Sequence, residues 1–253
     1  VQLKLDSGLS RNGSTMADWP ALVAAARASE VDGALTVTGI WTHFACADEP
    51  NHPSVRRQLD QFDEALGIAD VAGLRPEVRH AANSAAALAI PAARYDLVRI
   101  GIAMYGLSPG PEVGSGDELG LRPVMSLRAR LASVKRVPSG SGVSYGHLYT
   151  TPHETSLGVV PVGYADGIPR NASNLGPLLA AGAERTVAGR VCMDQVVVDL
   201  GDDEAAVGDE VVIFGSEGPS ADVWASVCGT IGYEIVTRIG PRVPREHLGV
   251  SEQ

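Results

Sequence analysis

The chain has 253 residues, is 45% hydrophobic, and sets 30 acidic against 20 basic residues for a net charge of −10. That length buries a substantial core and accommodates one large or two medium domains, while the acidic balance argues against a face that tracks nucleic acid. It carries no apolar run of about 18 residues, which argues against a membrane role, and its three cysteines, Cys46, Cys192 and Cys228, lack metal or redox spacing and read as reduced packing residues of a cytoplasmic protein.

The chain opens on VQLKL, a short strand, followed by ADWPALVAAARASE, which places Trp19, Leu22, Val23 and Ala26 on one helical face. The alternation repeats: ALTVTGIWTHF reads as a strand, and SVRRQLDQFDEALGIADVAG carries Val55, Leu59, Phe62 and Leu66 at helical spacing with a glycine stop. PEVRH is a shorter strand, NSAAALAI a short helix begun by Asn83 or Ser84 and halted by Pro91, and YDLVRIG a further strand. Strands alternating with helices predict a parallel sheet, open or closed into a barrel.

SPGPEVGSGDELGLRP then reads as a linker or long surface connection. Beyond it the period shortens. VMSLRARLASVKRV alternates with period two; TSLGVVPVGY, TVAGRVCMDQVVVDLG and DEVVIFG read as short strands; ADVWASVCGT is the one helix expected there. The expected organisation is an α/β domain with linker over residues 1–120 and a mainly β domain over 121–253.

In parallel sheets ligands collect at the carboxyl ends of strands. By that rule Lys4 and Asp6 end the first strand, His43 the second, His80 the third and Arg99 the fourth. A single histidine is more often a satisfied structural residue than a ligand, but four successive strand ends bearing Lys, His, His and Arg point to a site. No metal-ligand spacing occurs, and no metal is expected. Of the two lysines, Lys135 falls in an alternating β segment and reads as exposed, which leaves Lys4 as the residue able to form a Schiff base on this reading alone.

Seven segments, KLDSGLSRNG, THFACADEP, HAANSAA, VRIGIAMYGLSP, GVSYGHLYT, PVGYADGIPR and GRVCMDQVVVDLG, resemble the successive motifs of the alanine racemase family, in family order and nearly end to end. The resemblance implies a (β/α)8 TIM-type barrel, of which this sequence matches the C-terminal half, followed by a mainly β C-terminal domain. It implies pyridoxal 5'-phosphate as cofactor, alanine as substrate, and a cytoplasmic homodimer with shared active sites, serving peptidoglycan precursor supply. The family's Schiff-base lysine lies on an upstream strand in a Lys-Ala-Asn-Ala-Tyr-Gly-like motif that this sequence does not contain, so the 253-residue chain by itself is expected to be inactive.

The resemblance gives the residues roles. Lys4 matches a lysine that is often carbamylated, becoming an anion able to hold the neighbouring substrate-binding Arg11. Tyr145 matches one of two acid/base groups, contributed across the dimer interface. A tyrosine near its ordinary pKa of about 10 is a poor base, so cationic or hydrogen-bonding neighbours are expected to favour its phenolate, with His43 and Arg99 as contributors. Arg99 is placed against the cofactor's ring nitrogen and His80 on or near the ring; a guanidinium only donates, which weakens the electron sink and favours racemisation over transamination. Ser84, at a helix start, and Gly101 and Ile102, in the following turn, are expected at the phosphate, joined by Tyr233. Tyr164, Met193 and Asp194 are expected to narrow the substrate passage and contact the carboxylate, with Cys192 structural. Ser7 stands where the family often has Thr.

Two other readings remain at this stage: a non-catalytic half-barrel interaction module, and a related serine or broad-specificity amino-acid racemase.

Overall fold

A computed structural model describes residues 1–249. The chain divides into two units, the first ending at Leu121 and the second beginning at Arg122.

The first unit holds three parallel strands, β1 (Gln2–Lys4), β2 (Gly39–Trp41) and β3 (Val78–His80), in that order across the sheet. They are flush: Gln2, Gly39 and Val78 form one row, and Lys4, Trp41 and His80 the row two residues on. Because strand side chains alternate with period two, both rows lie on one face. The connecting helices are α1 (Trp19–Val31) and α2 (Pro53–Val71). Pro53 at the first turn and the His52 Nδ1, accepting from Ser54 N at 3.2 Å, start α2. Gly73, at φ +88°, ends it in a left-handed conformation that a side chain resists. Trp19, fully buried, gives its indole N–H to Ala65 O at 2.9 Å and so fixes α1 against α2. Around that bond Leu3, Leu5, Val23, Ile40, Leu59 and Phe62 form one apolar core.

The helix α3 (Ser84–Ala89) is capped by Asn83, whose Oδ1 accepts from Ala86 N at 3.0 Å. Expectation and structure part at YDLVRIG. Residues 95–101 form no ladder strand: Tyr95 and Asp96 make a turn, with Tyr95 at φ +44°, and 97–101 carry no regular element. Two backbone bonds tether them to β3 and the residues just after it, Asp96 N to Arg79 O at 3.1 Å and Arg99 N to Ala82 O at 2.9 Å. The two bonds are three residues apart on each side, a spacing that a parallel ladder cannot continue. Arg99 therefore stands on a tethered irregular segment and not at the end of a fourth ladder strand.

The second unit is built on antiparallel pairs. Strands β4 (Leu127–Arg130), β5 (Ser133–Val137), β8 (Thr155–Val160), β9 (Pro177–Ala180), β10 (Ala183–Thr186), β11 (Val196–Gly201) and β12 (Glu210–Phe214) form two sheets, ordered β10-β9-β12-β4 and β11-β8-β5. A hairpin, β6 (Gly142–Val143) with β7 (Tyr149–Thr150), stands apart. The chain steps from one sheet to the other at Leu131 and Ala132, bonded to Asp209 and Val159 respectively. Leu131, Val160, Leu178, Val198, Leu200, Val211 and Phe214 are buried. Helix α4 (Ala221–Cys228) is capped by Ser220 and stopped by Gly229, with Trp224 donating to Ile213 O at 2.7 Å. A second helix, α5 (Gly232–Thr237), was not expected from the sequence. Its six residues are too few to show a period. Among the described residues no helix is long and apolar enough to cross a membrane, and no group of side chains could hold a metal ion.

Candidate active site

Two loops build the carboxyl end of the parallel sheet. After β1 the chain turns through DSGLSRNG: Asp6 Oδ1 accepts from Gly8 N and Ser10 N, each at 3.0 Å, and these bonds hold the Asp6 carboxyl below its ordinary range. The turn folds back so that Ser14 N reaches Lys4 O at 2.9 Å. Gly13 makes this possible: at φ +111°, a Cβ there would meet Asp6 N at 2.9 Å and Lys4 O at 3.1 Å.

The second tie is Gln58, buried at 1% exposure in α2. Its Nε2 donates to Ser7 Oγ and to His43 O, both at 3.1 Å, and its Oε1 accepts from Ala45 N at 3.0 Å. Ser7 Oγ in turn lies 2.6 Å from Thr42 Oγ1. One buried carboxamide thus binds the loop after β1 to the loop after β2, with every strong hydrogen-bonding position satisfied.

Arg99 is the centre of the site. Its Nη1 donates to His80 Nδ1 at 2.7 Å; Nη2 faces Thr42 O at 2.9 Å, Ala81 O at 3.1 Å and His43 Nδ1 at 3.1 Å. A guanidinium has no acceptor, so both imidazoles must present a bare Nδ1 to it. Burial, then the Arg99 charge, pushes both histidines below their ordinary pKa; Arg11 and Lys4 add to the effect at His43. Both are neutral near pH 7, each with its ring proton on Nε2. Burial also lowers the Arg99 pKa, yet a guanidinium starts so far above neutrality that it stays charged.

Trp41, which the sequence reading passed over, is the floor shared by His80, Arg99 and Lys4. The His80 ring stacks on it at 5.6 Å and 15°, Arg99 Cζ lies 4.9 Å from its ring centroid, and Lys4 Nζ lies 4.8 Å away. Lys4 also contacts Asn12 Oδ1. Burial first, then Arg11, depresses the Lys4 ammonium, against a smaller opposing pull from Asp6. Trp41 was legible only from the register, in which it stands between Lys4 and His80.

Ser84 faces the turn of Gly101 and Ile102. Its Oγ accepts from Gly101 N at 2.8 Å and Ala103 N at 3.4 Å. At 3% exposure its hydroxyl proton has no acceptor among the described residues. The structure thus brings Lys4, His43, His80 and Arg99 to one end of the sheet, with Ser84, Gly101 and Ile102 in the adjoining turn and Arg11 in the loop after β1.

In the second unit, Tyr145, Tyr164, Met193 and Asp194 come from three loops tied by main-chain bonds and the Ser144 hydroxyl. Tyr164 N donates to Cys192 O at 3.0 Å and Ala165 N to Met193 O at 2.7 Å. Gly163 permits the contact: a Cβ would sit 2.4 Å from Cys192 O and 2.6 Å from Asp194 N. Asp166, 5% exposed, accepts from Gly163 N at 2.9 Å and pairs with Arg242 at 3.2 Å. Ser144 Oγ donates to Arg190 O at 2.8 Å and approaches Cys192 Sγ at 3.3 Å, anchoring the Tyr145 turn to the same group. Cys192 is buried and packs, as expected. Tyr233 lies in the first turn of α5. Tyr145, Met193 and Tyr164 are 73%, 57% and 43% exposed, so this unit by itself gives its site side chains little cover.

Known proteins match both units. Residues 1–109 match the family model "Alanine racemase, N-terminal domain" and 124–247 the model "Alanine racemase, C-terminal domain". Alanine racemases of Streptomyces coelicolor and Frankia casuarinae are 61% and 56% identical over 98% of this chain, which spans 64% and 65% of their lengths. That of Salinispora arenicola is 54% identical, and the chain covers 67% of it. A crystal structure of alanine racemase from Streptomyces lavendulae superposes with a TM-score of 0.96 at 59% identity, over 99% of this chain and 66% of that one. The Pseudomonas aeruginosa enzyme gives 0.88 at 43%, over 98% of this chain and 67% of that one. By sequence and by fold, the chain belongs to the alanine racemase family.

Proposed function

We propose that this chain is the larger part of an alanine racemase, interconverting L- and D-alanine for peptidoglycan precursor supply in the cytoplasm, and that it works as a homodimer with pyridoxal 5'-phosphate. In this reading the first unit is the C-terminal half of a (β/α)8 barrel, and the second, from about residue 121, the β domain.

Two observations fit the cofactor to the residues present. The buried Ser84 hydroxyl keeps a proton without an acceptor beside the Gly101 and Ile102 turn, which suits a phosphate oxygen, and Tyr233 is assigned to the same phosphate. Arg99, held by two neutral imidazoles and two carbonyls, has an Nε–H that meets no acceptor among the described residues, which suits a ring nitrogen. When bound, pyridoxal phosphate would supply an electron sink that acidifies the α-hydrogen of the amino acid.

The chain's own residues do the rest. Arg99 cannot give up its proton, so a ring nitrogen facing it would stay unprotonated and the sink would be weak, which suits return of a proton to the same carbon. His80 and His43 hold Arg99 in place. Tyr145 takes or returns the α-proton through Oη on one face; its turn is pinned while its ring stays exposed, which supports delivery to a site of a second copy. The base for the other face is assigned to a lysine of a segment outside this chain. Arg11, Met193, Asp194 and Tyr164 bind the substrate carboxylate and narrow the passage. Lys4, depressed by burial and Arg11, is disposed as the free amine to take up carbon dioxide and become a carbamate that holds Arg11. A mass increase of one carbon dioxide on the peptide containing Lys4 tests that point, and a bare amine refutes it.

The observation that carries the reading is the Arg99 anchorage. Its test is racemisation of alanine, against serine and lysine, by the chain joined to a lysine-bearing family segment, with Arg99→Gln as control. The chain alone is expected to show no turnover. Robust activity without that segment would overturn the assignment of the second base.

A further inference from the structure

We propose that Gln2 is a positioning residue for Arg99, acting through His80 across a gap left by Gly39; its importance to turnover rests on the racemase reading, but the hydrogen-bond chain does not. β1 and β3 are not neighbours, for β2 lies between them, and two strand spacings amount to about 9.6 Å. Gln2 nevertheless places Oε1 2.8 Å from His80 Nε2. Its side chain does so by lying over Gly39, the β2 residue in its own row. A Cβ at Gly39 would sit 2.8 Å from Gln2 Cδ and 3.0 Å from Cγ and Nε2, so any side chain there closes the path.

The proton count fixes the direction of the chain. Arg99 Nη1 donates to His80 Nδ1, so the single proton of the neutral ring sits on Nε2 and is donated to Gln2. The carboxamide is then oriented with its oxygen toward the ring. A neutral amide is the right chemistry for this end. A carboxylate in its place would favour the imidazolium, whose Nδ1–H would confront Arg99, donor to donor and cation to cation, at the 2.7 Å separation now bridged by a hydrogen bond. Trp41 fixes the plane of the His80 ring and Gln2 fixes its rotation within that plane, so the lone pair stays aimed at the guanidinium.

The test is imidazole and guanidinium ¹⁵N NMR of the full chain without cofactor, for wild type, Q2L, Q2E and G39A, so that failure of the racemase reading leaves it untouched. Wild type should show His80 protonated at Nε2 alone. Q2E should raise the His80 pKa by at least about one pH unit. Q2L should leave that pKa depressed but speed Arg99 Nη1 hydrogen exchange several-fold. Gln2 lies on an exposed position, so neither substitution cuts into the core. G39A should reproduce Q2L by expelling the carboxamide. A His80 pKa that is the same in Q2E and wild type, or Arg99 exchange that is unchanged in Q2L, would overturn the proposal.

Discussion

The two units hold their candidate site residues in opposite ways. In the first, side chains hold side chains: Arg99, His80, His43 and Gln2 are linked in one chain, and Gln58 straps the loop after β1 to the loop that carries His43. In the second, the turns themselves are held: main-chain bonds and a close glycine contact fix those bearing Tyr164 and Met193, and the Ser144 hydroxyl ties the Tyr145 turn to Arg190 O, while much of the surface of these side chains stays bare. A preorganised charged cluster is what a fixed cofactor needs. Rigid turns with free tips are what a group needs that must act on something outside its own unit.

Removing one atom from a free tip should therefore change chemistry and nothing else. In the active assembly Tyr145→Phe is expected to lower kcat by about 10²–10⁴-fold, the usual worth of a general acid or base, with an unchanged melting temperature. A fall in stability alongside would break the contrast. Arg99→Gln should cost about 10²–10³-fold in kcat and should also loosen the first unit, since it removes the donor that His80 and His43 share; thermal melts of the cofactor-free chain would show it.

The converse holds for the glycines of the second unit. Gly163→Ala forces a Cβ to 2.4 Å from Cys192 O, a backbone clash of the kind that costs about 1–3 kcal/mol. It should lower stability and displace Tyr164 and Met193 together. Denaturant unfolding monitored by Trp224 fluorescence would report the loss, with the folded first unit as internal comparison.

The smallest effect separates the units by pH. His80 and His43 have folded pKa values below the ordinary 6.5, so the unfolded chain binds protons first as pH falls. The groups that face them are cationic: Arg99 for both, with Arg11 and Lys4 for His43. Stability of the first unit is then full above about pH 6.5 and declines as acid carries pH down through the depressed values. Both units have a window at the alkaline end: burial, then the bond to Asp63, raises Tyr95 in the first, and burial, then the 2.7 Å bond to Asp199, pushes Tyr149 in the second up to about 12. The neutral form of Tyr149 stabilises the fold up to the ordinary value near 10, and that contribution declines as pH climbs toward 12. Melts of each unit across pH, by residue-resolved probes, would show whether the decline below about pH 6.5 is confined to the first unit.

Much of this arrangement was legible in the sequence because period and register are local. Lys4, His43 and His80 could be placed at strand ends from alternation and from the length of the intervening helices, and the glycine stop after α2 was visible as such. What escaped notice depends on distance through space. Gln58 sits three residues from Val55 on a face that reads as core, and only the structure shows its amide reaching Ser7, His43 and Ala45. Gln2 and Gly39 look like a strand start and a weak strand residue until the register sets them opposite each other. The segment around Arg99 has strand composition, but two tethers three residues apart replace a ladder. Trp41 is one more apolar residue in GIWTHF until its neighbours are known.

The Gln58 strap couples the interior of α2 to the geometry of its surface loops. A substitution such as Gln58→Leu would preserve volume and pass for a conservative change of core filling, yet it would sever both loops at once and let the bearings of Arg11 and His43 drift independently. Variation at this helix position should thus behave as a tuning screw for substrate handling, and directed libraries that shield only the visible pocket would miss it.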